Sequence, residues 1–533
     1  MGEVQPKPAM ADSLAGHEVH DVTIGGLLRE VAARIPDTEA LVEGLPDDTA
    51  GRRWTFAELL ADAERLARGL AARYRPGERI AVWAPNVPEW VLLEYAAALA
   101  GLTMVTINPS YQARELDYVL RQSNAAGLFL VRQFRGNPMG DIAERVAAEI
   151  PALREVIDLQ DEAALDGKSS PAELPEVDTT DPAQIQYTSG TTGFPKGVVL
   201  SHRNLANNAR LFTQAIGIRP GERLIGLTPL FHTIGCSLGV LGSLHVGGAY
   251  VPLLAFDPNA ALDLIERERI AWTIGVPTMA QAMVEAQRAN PRDLSTLRFF
   301  GAGGAMVPPE LVRAVRNELG ADICVAYGQT ESSPIITCCR PEDDFEDICT
   351  TIGRPAFACE VGIFDPAGNE LVPCGAVGEI RARSYATMLG YNDDAAATAE
   401  AVDAQGWLHT GDLGTMDERG FVRITGRVKE MIIRGGENLF PAEIENVLLE
   451  HPSVAECAVV GVPCERMGEA VAAFVRLAPG ASLDVEALRA HCRSAISPQK
   501  CPAHWQAVES WPLTGSGKIR KFELRDEWIA ANG

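Results

Sequence analysis

No two cysteines in this chain are spaced as zinc ligands or a redox dithiol would be. None precedes Cys236, the eleven present run from there to Cys501 without a C-x-x-C pair, and Cys338 and Cys339 are adjacent. They are expected to be buried free thiols in a reducing cytoplasm. Basic residues are in deficit: 47 Lys and Arg face 71 Asp and Glu, a formal charge of −24. Such a surface repels a phosphate backbone, which argues against a nucleic acid partner. Any anionic substrate must then enter a locally basic or amide-rich pocket. Long hydrophobic runs are also missing. The longest apolar stretch, Trp90 to Ile107, is broken by Glu94 and reads as a core helix followed by a strand. Met1 to His20 is polar, without the apolar run of a secretion signal, and Pro6 stands where N-myristoylation requires Ser or Thr. The expectation is a cytoplasmic protein with no membrane span. Internal repeats and low-complexity segments are absent too.

What is present suits a multi-domain globular enzyme. The 533 residues are 47% hydrophobic and 22% charged, enough for three or four folding units. Thr55 followed by Glu58, with Leu59, Leu60, Ala63 and Leu66 at helical spacing, predicts a capped helix. Arg79–Trp83 reads as a buried strand, and the β–α alternation continues through Leu224, Trp272 and Ile323. Short apolar strands between helices point to mostly parallel sheets covered on both faces. After Gly411 the texture changes to strands with polar alternation around Phe421, Val454–Val462 and Ala470–Leu477. Two helices interrupt them, one opening at Pro441 and one running from Val485 to about Ile496. A small α+β domain is therefore expected from about Lys429 to the end.

The strongest chemical signal is Tyr187-Thr-Ser-Gly-Thr-Thr-Gly-Phe-Pro-Lys-Gly197. Thr188, Ser189, Thr191 and Thr192 supply hydroxyls, Gly190, Gly193 and Gly197 free the backbone, and Lys196 adds a point charge. Glycines let N–H groups turn toward an anion, so the segment reads as a polyphosphate cradle. It is not a Walker A loop, because Pro195 precedes the lysine and Gly197 follows it.

This loop resembles the phosphate-binding signature of the adenylate-forming (ANL) superfamily. Further motifs follow in that family's order: Pro229-Leu-Phe-His232, Gly303-Gly-Ala305, Tyr327-Gly-Gln-Thr-Glu331 and Trp407-Leu-His-Thr-Gly-Asp412, then Gly426-Arg427, Arg434-Gly-Gly-Glu-Asn438 and Pro512-Leu-Thr-Gly-Ser-Gly-Lys518. Within the superfamily the likeness is closest to the medium- and long-chain fatty acyl-CoA synthetases. The resemblance implies an α/β fold: a large N-terminal domain (1–428) of two α/β subdomains plus a small β-barrel, and a mobile α+β lid domain (429–533). It also implies an ATP-dependent enzyme that turns a hydrophobic carboxylic acid into acyl-AMP and passes the acyl group to the thiol of CoA.

The site residues follow from the same resemblance. Thr188, Ser189, Gly190, Thr191, Thr192, Gly193 and Lys196 would hold the phosphates, with Gly328 and Gln329 beside them. Tyr327 would stack on adenine against Gly304 and Ala305, an arrangement that suits a flat base. Met306 stands where the family commonly has proline. Asp412 would accept the ribose hydroxyls, with Arg427 as a second ribose contact. Thr330 would bond the α-phosphate, and Glu331 would hold Mg²⁺, a hard cation that suits a carboxylate. His232 is placed near the acyl carboxylate and thiol entrance. Lys518 is the candidate catalytic cation that bonds both partners as pyrophosphate departs. Lys429 occupies the hinge position, and Gly435 and Gly436 would line the pantetheine passage, where a side chain would obstruct.

For the acid, His232, Ile234, Gly235, Gly301, Gly303 and Tyr327 would form the pocket, with Phe299, Phe300 and Ala302 behind. No acidic side chain is there to pair an amino group, which argues against amino acids. Small residues leave room for an aliphatic chain or a bulky polycyclic natural-product acid. A carrier-protein pantetheine or an amine stands as an alternative acceptor, and a homodimer is left open. Two rivals come from other classes. Gly235-Cys-Ser-Leu-Gly239 matches the G-x-S-x-G of serine hydrolases, and a non-catalytic acyl or nucleotide sensor could share the fold.

Overall fold

A computed structural model describes residues 7–46, 51–161, 172–188, 195–304, 307–434, 437–464, 466–512 and 519–532. The elements come from local signals first. Thr55 caps the helix Phe56–Ala71: its hydroxyl accepts from Glu58 N–H at 3.2 Å, and the Glu58 carboxylate accepts from Thr55 N–H at 2.8 Å. A cap of this kind is worth about 1 kcal/mol. Leu59, Ala63, Leu66 and Leu70 then fall on one buried face. The apolar stretch divides as expected into the helix Pro88–Leu99 and the strand Thr103–Ile107. Glu94, which breaks that stretch, is only 2% exposed. Gln184 donates to its Oε1 at 2.7 Å, and burial pushes its carboxyl well above the ordinary value, so it sits protonated in the interior.

Two large sheets organise residues 39–391. The first has seven strands, in spatial order Gly390–Tyr391, Lys196–Ser201, Pro182–Thr188, Thr103–Ile107, Arg79–Trp83, Gly127–Leu130 and Glu155–Asp158. Its last five are parallel, and the two at the other edge are antiparallel. The second sheet has nine strands, with Asp322–Tyr327, Phe299–Gly303, Trp272–Gly275, Leu224–Gly226, Tyr250–Pro252 and Glu39–Val42 running parallel at its centre. Buried β–α crossovers impose that direction, because successive parallel strands need a covering helix between them.

A third, five-stranded antiparallel sheet joins Met10–Asp12, Cys359–Phe364, Gly378–Ser384, Leu408–Met416 and Val422–Arg427. It occupies the place of the small barrel. One hydrophobic core runs through all three sheets as far as Val422. Three further clusters contain only residues from Ile432 onward. They fill a fourth sheet built on the long hairpin Val454–Cys464 and Gly468–Leu477, covered by the helices Pro441–Leu449, Val485–Ala495 and Lys521–Asn532. The last of these helices was not expected. Only Leu524 on it is buried, so its sequence carries no apolar stripe to read.

The eleven cysteines are all free thiols, eight of them buried. Among the described residues no helix is long and apolar enough to cross a membrane.

Candidate active site

Ligands of open α/β sheets collect beyond the carboxyl ends of the parallel strands. Three of those ends carry motif residues here: Thr188, Gly303–Gly304 and Tyr327–Gly328. Two glycines are required by the backbone. Gly304 turns the chain at φ +81°, a conformation L side chains rarely adopt, and a Cβ on Gly328 would lie 1.8 Å from the Pro334 carbonyl oxygen.

Tyr327 leaves its strand with its hydroxyl donating to Asp412 Oδ2 at 2.7 Å. Asp412, on the strand Leu408–Met416, lies opposite Arg427 of Val422–Arg427, and Arg427 Nε meets Asp412 Oδ1 at 2.9 Å. The Asp412 N–H donates to Thr410 Oγ1 at 3.1 Å, which fixes the backbone as well. Asp412 is 7% exposed, whereas the Arg427 side chain is 51% exposed. Burial first, and the Asp412 charge second, push the Tyr327 phenol up, so it stays a hydroxyl donor. Among the described residues each Asp412 oxygen has one protein partner and retains a lone pair, which leaves the carboxylate able to accept from a diol. A pair this open to solvent on the arginine side contributes little to stability, and its value is geometric.

The second cluster sits at the mouth of the hairpin that carries the threonine-rich loop. Strands Pro182–Thr188 and Lys196–Ser201 run antiparallel with Thr188 opposite Lys196, and Thr188 Oγ1 lies 3.5 Å from the Lys196 carbonyl. Ser189, Gly190, Thr191, Thr192 and Gly193 lie outside the described residues, as do Ala305, Met306, Gly435, Gly436 and Lys518. Lys196 Nζ lies 4.8 Å over the ring of Tyr391. The Tyr391 hydroxyl in turn donates to Glu331 Oε1 at 2.8 Å. Glu331 and the buried Thr330 belong to the single turn Thr330–Ser332, which Gln329 enters with its N–H donated to Ser332 Oγ at 3.1 Å. Burial, then the Glu331 charge, push the Tyr391 phenol up and keep its proton in place.

Tyr391 and its neighbours were not singled out by the sequence. Asn392 Nδ2 donates to the Gln122 carbonyl at 2.8 Å and Asn392 N–H donates to the Gly197 carbonyl at 2.7 Å, while Tyr187 donates its hydroxyl to Gln122 Oε1. This lattice holds the root of the hairpin. A lone Tyr-Asn has no spacing that singles it out; the pairing of Gly390–Tyr391 with Val198 and Val199 is what brings it beside the hairpin.

On the side where the acid is expected, His232 is exposed, and its ring Nδ1 accepts from Ile234 N–H at 3.3 Å as the next helix begins. Ile234 and Gly235 open that helix, a wide π-type element, Ile234–Leu241, packed against the strands Leu224–Gly226 and Trp272–Gly275. Gly301 and Gly303 lie one strand further along the same sheet. Ser237 is fully buried inside this helix and donates to the Leu205 carbonyl at 3.2 Å. A hydrolase nucleophile needs an exposed hydroxyl on a strand-to-helix turn, so the G-x-S-x-G match is a stretch of helix. Lys429 lies in the short turn Val428–Glu430, directly after Arg427.

Comparison with known proteins bears on the chain as a whole. The family model for AMP-binding enzymes matches residues 28–392, and that for the AMP-binding enzyme C-terminal domain matches 443–518. The chain is 39% identical over 537 residues to the putative acyl-CoA synthetase YngI of Bacillus subtilis (strain 168), covering 95% of this chain and 97% of that one. It is 37% identical over 544 residues to the mitochondrial medium-chain acyl-CoA ligase ACSF2 of Homo sapiens, covering 95% and 87%. Among solved structures, ATP-bound MatB from Rhodopseudomonas palustris superposes with a TM-score of 0.85 at 27% identity, covering 96% and 100%. A Mycobacterium tuberculosis fatty acyl CoA synthetase gives a TM-score of 0.78 at 30% identity, covering 96% and 99%.

Proposed function

Because this chain belongs to the AMP-binding enzymes, we propose that Tyr327, Asp412 and Arg427 seat the nucleoside of ATP while the hairpin, Lys196 and Glu331 hold its phosphates. The protein is an AMP-forming acyl-CoA synthetase. A hydrophobic acid and ATP give acyl-AMP and pyrophosphate, and the thiol of CoA then displaces AMP. The observation that carries the site assignment is that a tyrosine–carboxylate–arginine chain and a lysine–tyrosine–carboxylate chain each include a residue of one short segment, Tyr327–Glu331.

The donor set suits a hard divalent cation. Among the described residues no cluster of three His, Cys, Asp or Glu side chains could hold a metal alone. Glu331 offers one oxygen beside the one Tyr391 occupies, and Mg²⁺ is commonly held by one or two carboxylates plus substrate phosphates. Bound there, it would neutralise phosphate charge. Thr330 supplies a hydroxyl toward the α-phosphate, and Lys518 is the cation that meets the carboxylate and phosphate as they react. Gly328 lets the backbone pass close behind the phosphates.

We assign the region from Lys429 onward to the lid, a reading supported by separate cores on either side of that residue. Rotation about Lys429 would bring Lys518 in for adenylation and Gly435–Gly436 in for thiol transfer. His232 guards the boundary between acid and thiol. The acid pocket lies between the helix Ile234–Leu241 and the strand carrying Gly301 and Gly303, and a medium-chain aliphatic acid is the first candidate, in keeping with the ligase relatives. The free thiols favour a cytoplasmic setting.

Acid-dependent pyrophosphate release, measured over a panel of aliphatic, aromatic and polycyclic acids, tests this reading. A saturable response with AMP formed in step with acyl-CoA is expected. ADP as product, or exchange indifferent to any acid, would sink it.

A further inference from the structure

The segment Met388–Asn392 is stitched once to the Glu331 turn and twice to the hairpin strand Lys196–Ser201. Met388 N–H donates to the Glu331 carbonyl at 2.9 Å, Leu389 N–H to the Val199 carbonyl at 2.9 Å, and Asn392 N–H to the Gly197 carbonyl at 2.7 Å. Tyr391 N–H donates to Thr398 Oγ1 at 2.9 Å, which fixes the tyrosine backbone from the opposite side. The side chain is thereby held between two opposite charges. Lys196 rests over its ring at 4.8 Å, and Glu331 accepts its hydroxyl at 2.8 Å. Among the described residues no carboxylate pairs with Lys196. A lysine and a glutamate that share one side chain as neighbour would be expected to form a contact pair if that side chain did not stand between them.

We propose that Tyr391 is a positioning residue that keeps Lys196 and Glu331 apart and aimed, the ammonium toward a triphosphate and the carboxylate toward its divalent cation. The inference rests on the reading of this hairpin and Glu331 as the phosphate end. A direct ion pair would cancel both charges, and ATP would have to break it before binding. A cation on a ring face is held more loosely and is released at little cost. The hydroxyl bond fixes which Glu331 oxygen stays available. The two functions of the phenol are separable: the ring is the spacer and the hydroxyl is the aim.

The test is equilibrium ATP binding with and without Mg²⁺, together with the Mg²⁺ concentration that half-activates pyrophosphate exchange. Tyr391→Phe keeps the spacer, so metal-free ATP should bind within about twofold of the native protein. It should require roughly tenfold more Mg²⁺, the size expected for losing one hydrogen bond to a charged group. Tyr391→Leu should weaken metal-free ATP as well, and Glu331→Gln in that background should restore it by removing the lysine's new partner. A native Mg²⁺ requirement in Tyr391→Phe, or no rescue by Glu331→Gln, overturns the proposal. If Lys196→Ala binds ATP as the native protein does, the underlying phosphate-end reading fails, and the inference falls with it.

Discussion

At the proposed nucleoside end of the site Tyr327, Asp412 and Arg427 are already joined to one another. Tyr327 donates to Asp412, Asp412 meets Arg427, and all three stand on or at the ends of strands tied into two sheets. At the proposed phosphate end Lys196 and Glu331 sit against one and the same phenol, and among the described residues no carboxylate pairs with Lys196. The contrast matches what each end must do. A ribose and a base arrive neutral and leave unchanged, so preformed partners serve them in both steps. A triphosphate arrives charged and is cleaved, so its partners must keep their charge unspent until it comes and exchange it as pyrophosphate leaves.

The comparison can be broken in order of effect. Lys518→Ala should slow adenylation by roughly 10²–10³-fold, the scale of losing one transition-state donor. It should spare thiolysis of a supplied acyl-adenylate if, as proposed, the lysine acts in the phosphate step alone. Equal loss in both half-reactions would remove it from that role. Asp412→Ala acts on the other end and should mainly raise KM for ATP, by about tenfold or more, because charged hydrogen bonds of about 1.5–3 kcal/mol are lost in ground and transition state alike. Arg427→Ala should be the mildest, about two- to fivefold in the same constant, given its half-exposed pair. Steady-state kinetics on the three variants decides the order. If Arg427→Ala matched Asp412→Ala, the arginine would be a primary contact and the nucleoside end would be organised differently.

How much of this was legible beforehand follows from how local the signals were. Thr55 and Glu58 cap a helix through their own spacing, and the strands Arg79–Trp83 and Trp272–Gly275 are short apolar runs bounded by turn residues. Tyr327, Asp412 and Arg427 belong to three separate motifs in the chain, and the structure brings them into one hydrogen-bonded set. What escaped depends on distance in sequence. Met10–Asp12 adds an edge strand to a sheet made of residues beyond 358, and nothing in three residues announces that partner. Glu94 looked like an interruption of an apolar run, yet Gln184 makes it a tolerated buried group. Tyr391 escaped for the same reason: its two partners, Lys196 and Glu331, lie far from it along the chain and are brought to it only by strand pairing.

The most direct examination of the account is a crystal structure with a non-hydrolysable ATP analogue and Mg²⁺. Adenine should lie on the Tyr327 ring and the ribose diol on Asp412, with the phosphates reaching past Lys196 toward Glu331. Phosphates lodged away from the Lys196 hairpin, or a ribose that leaves Asp412 paired only with protein, would contradict it.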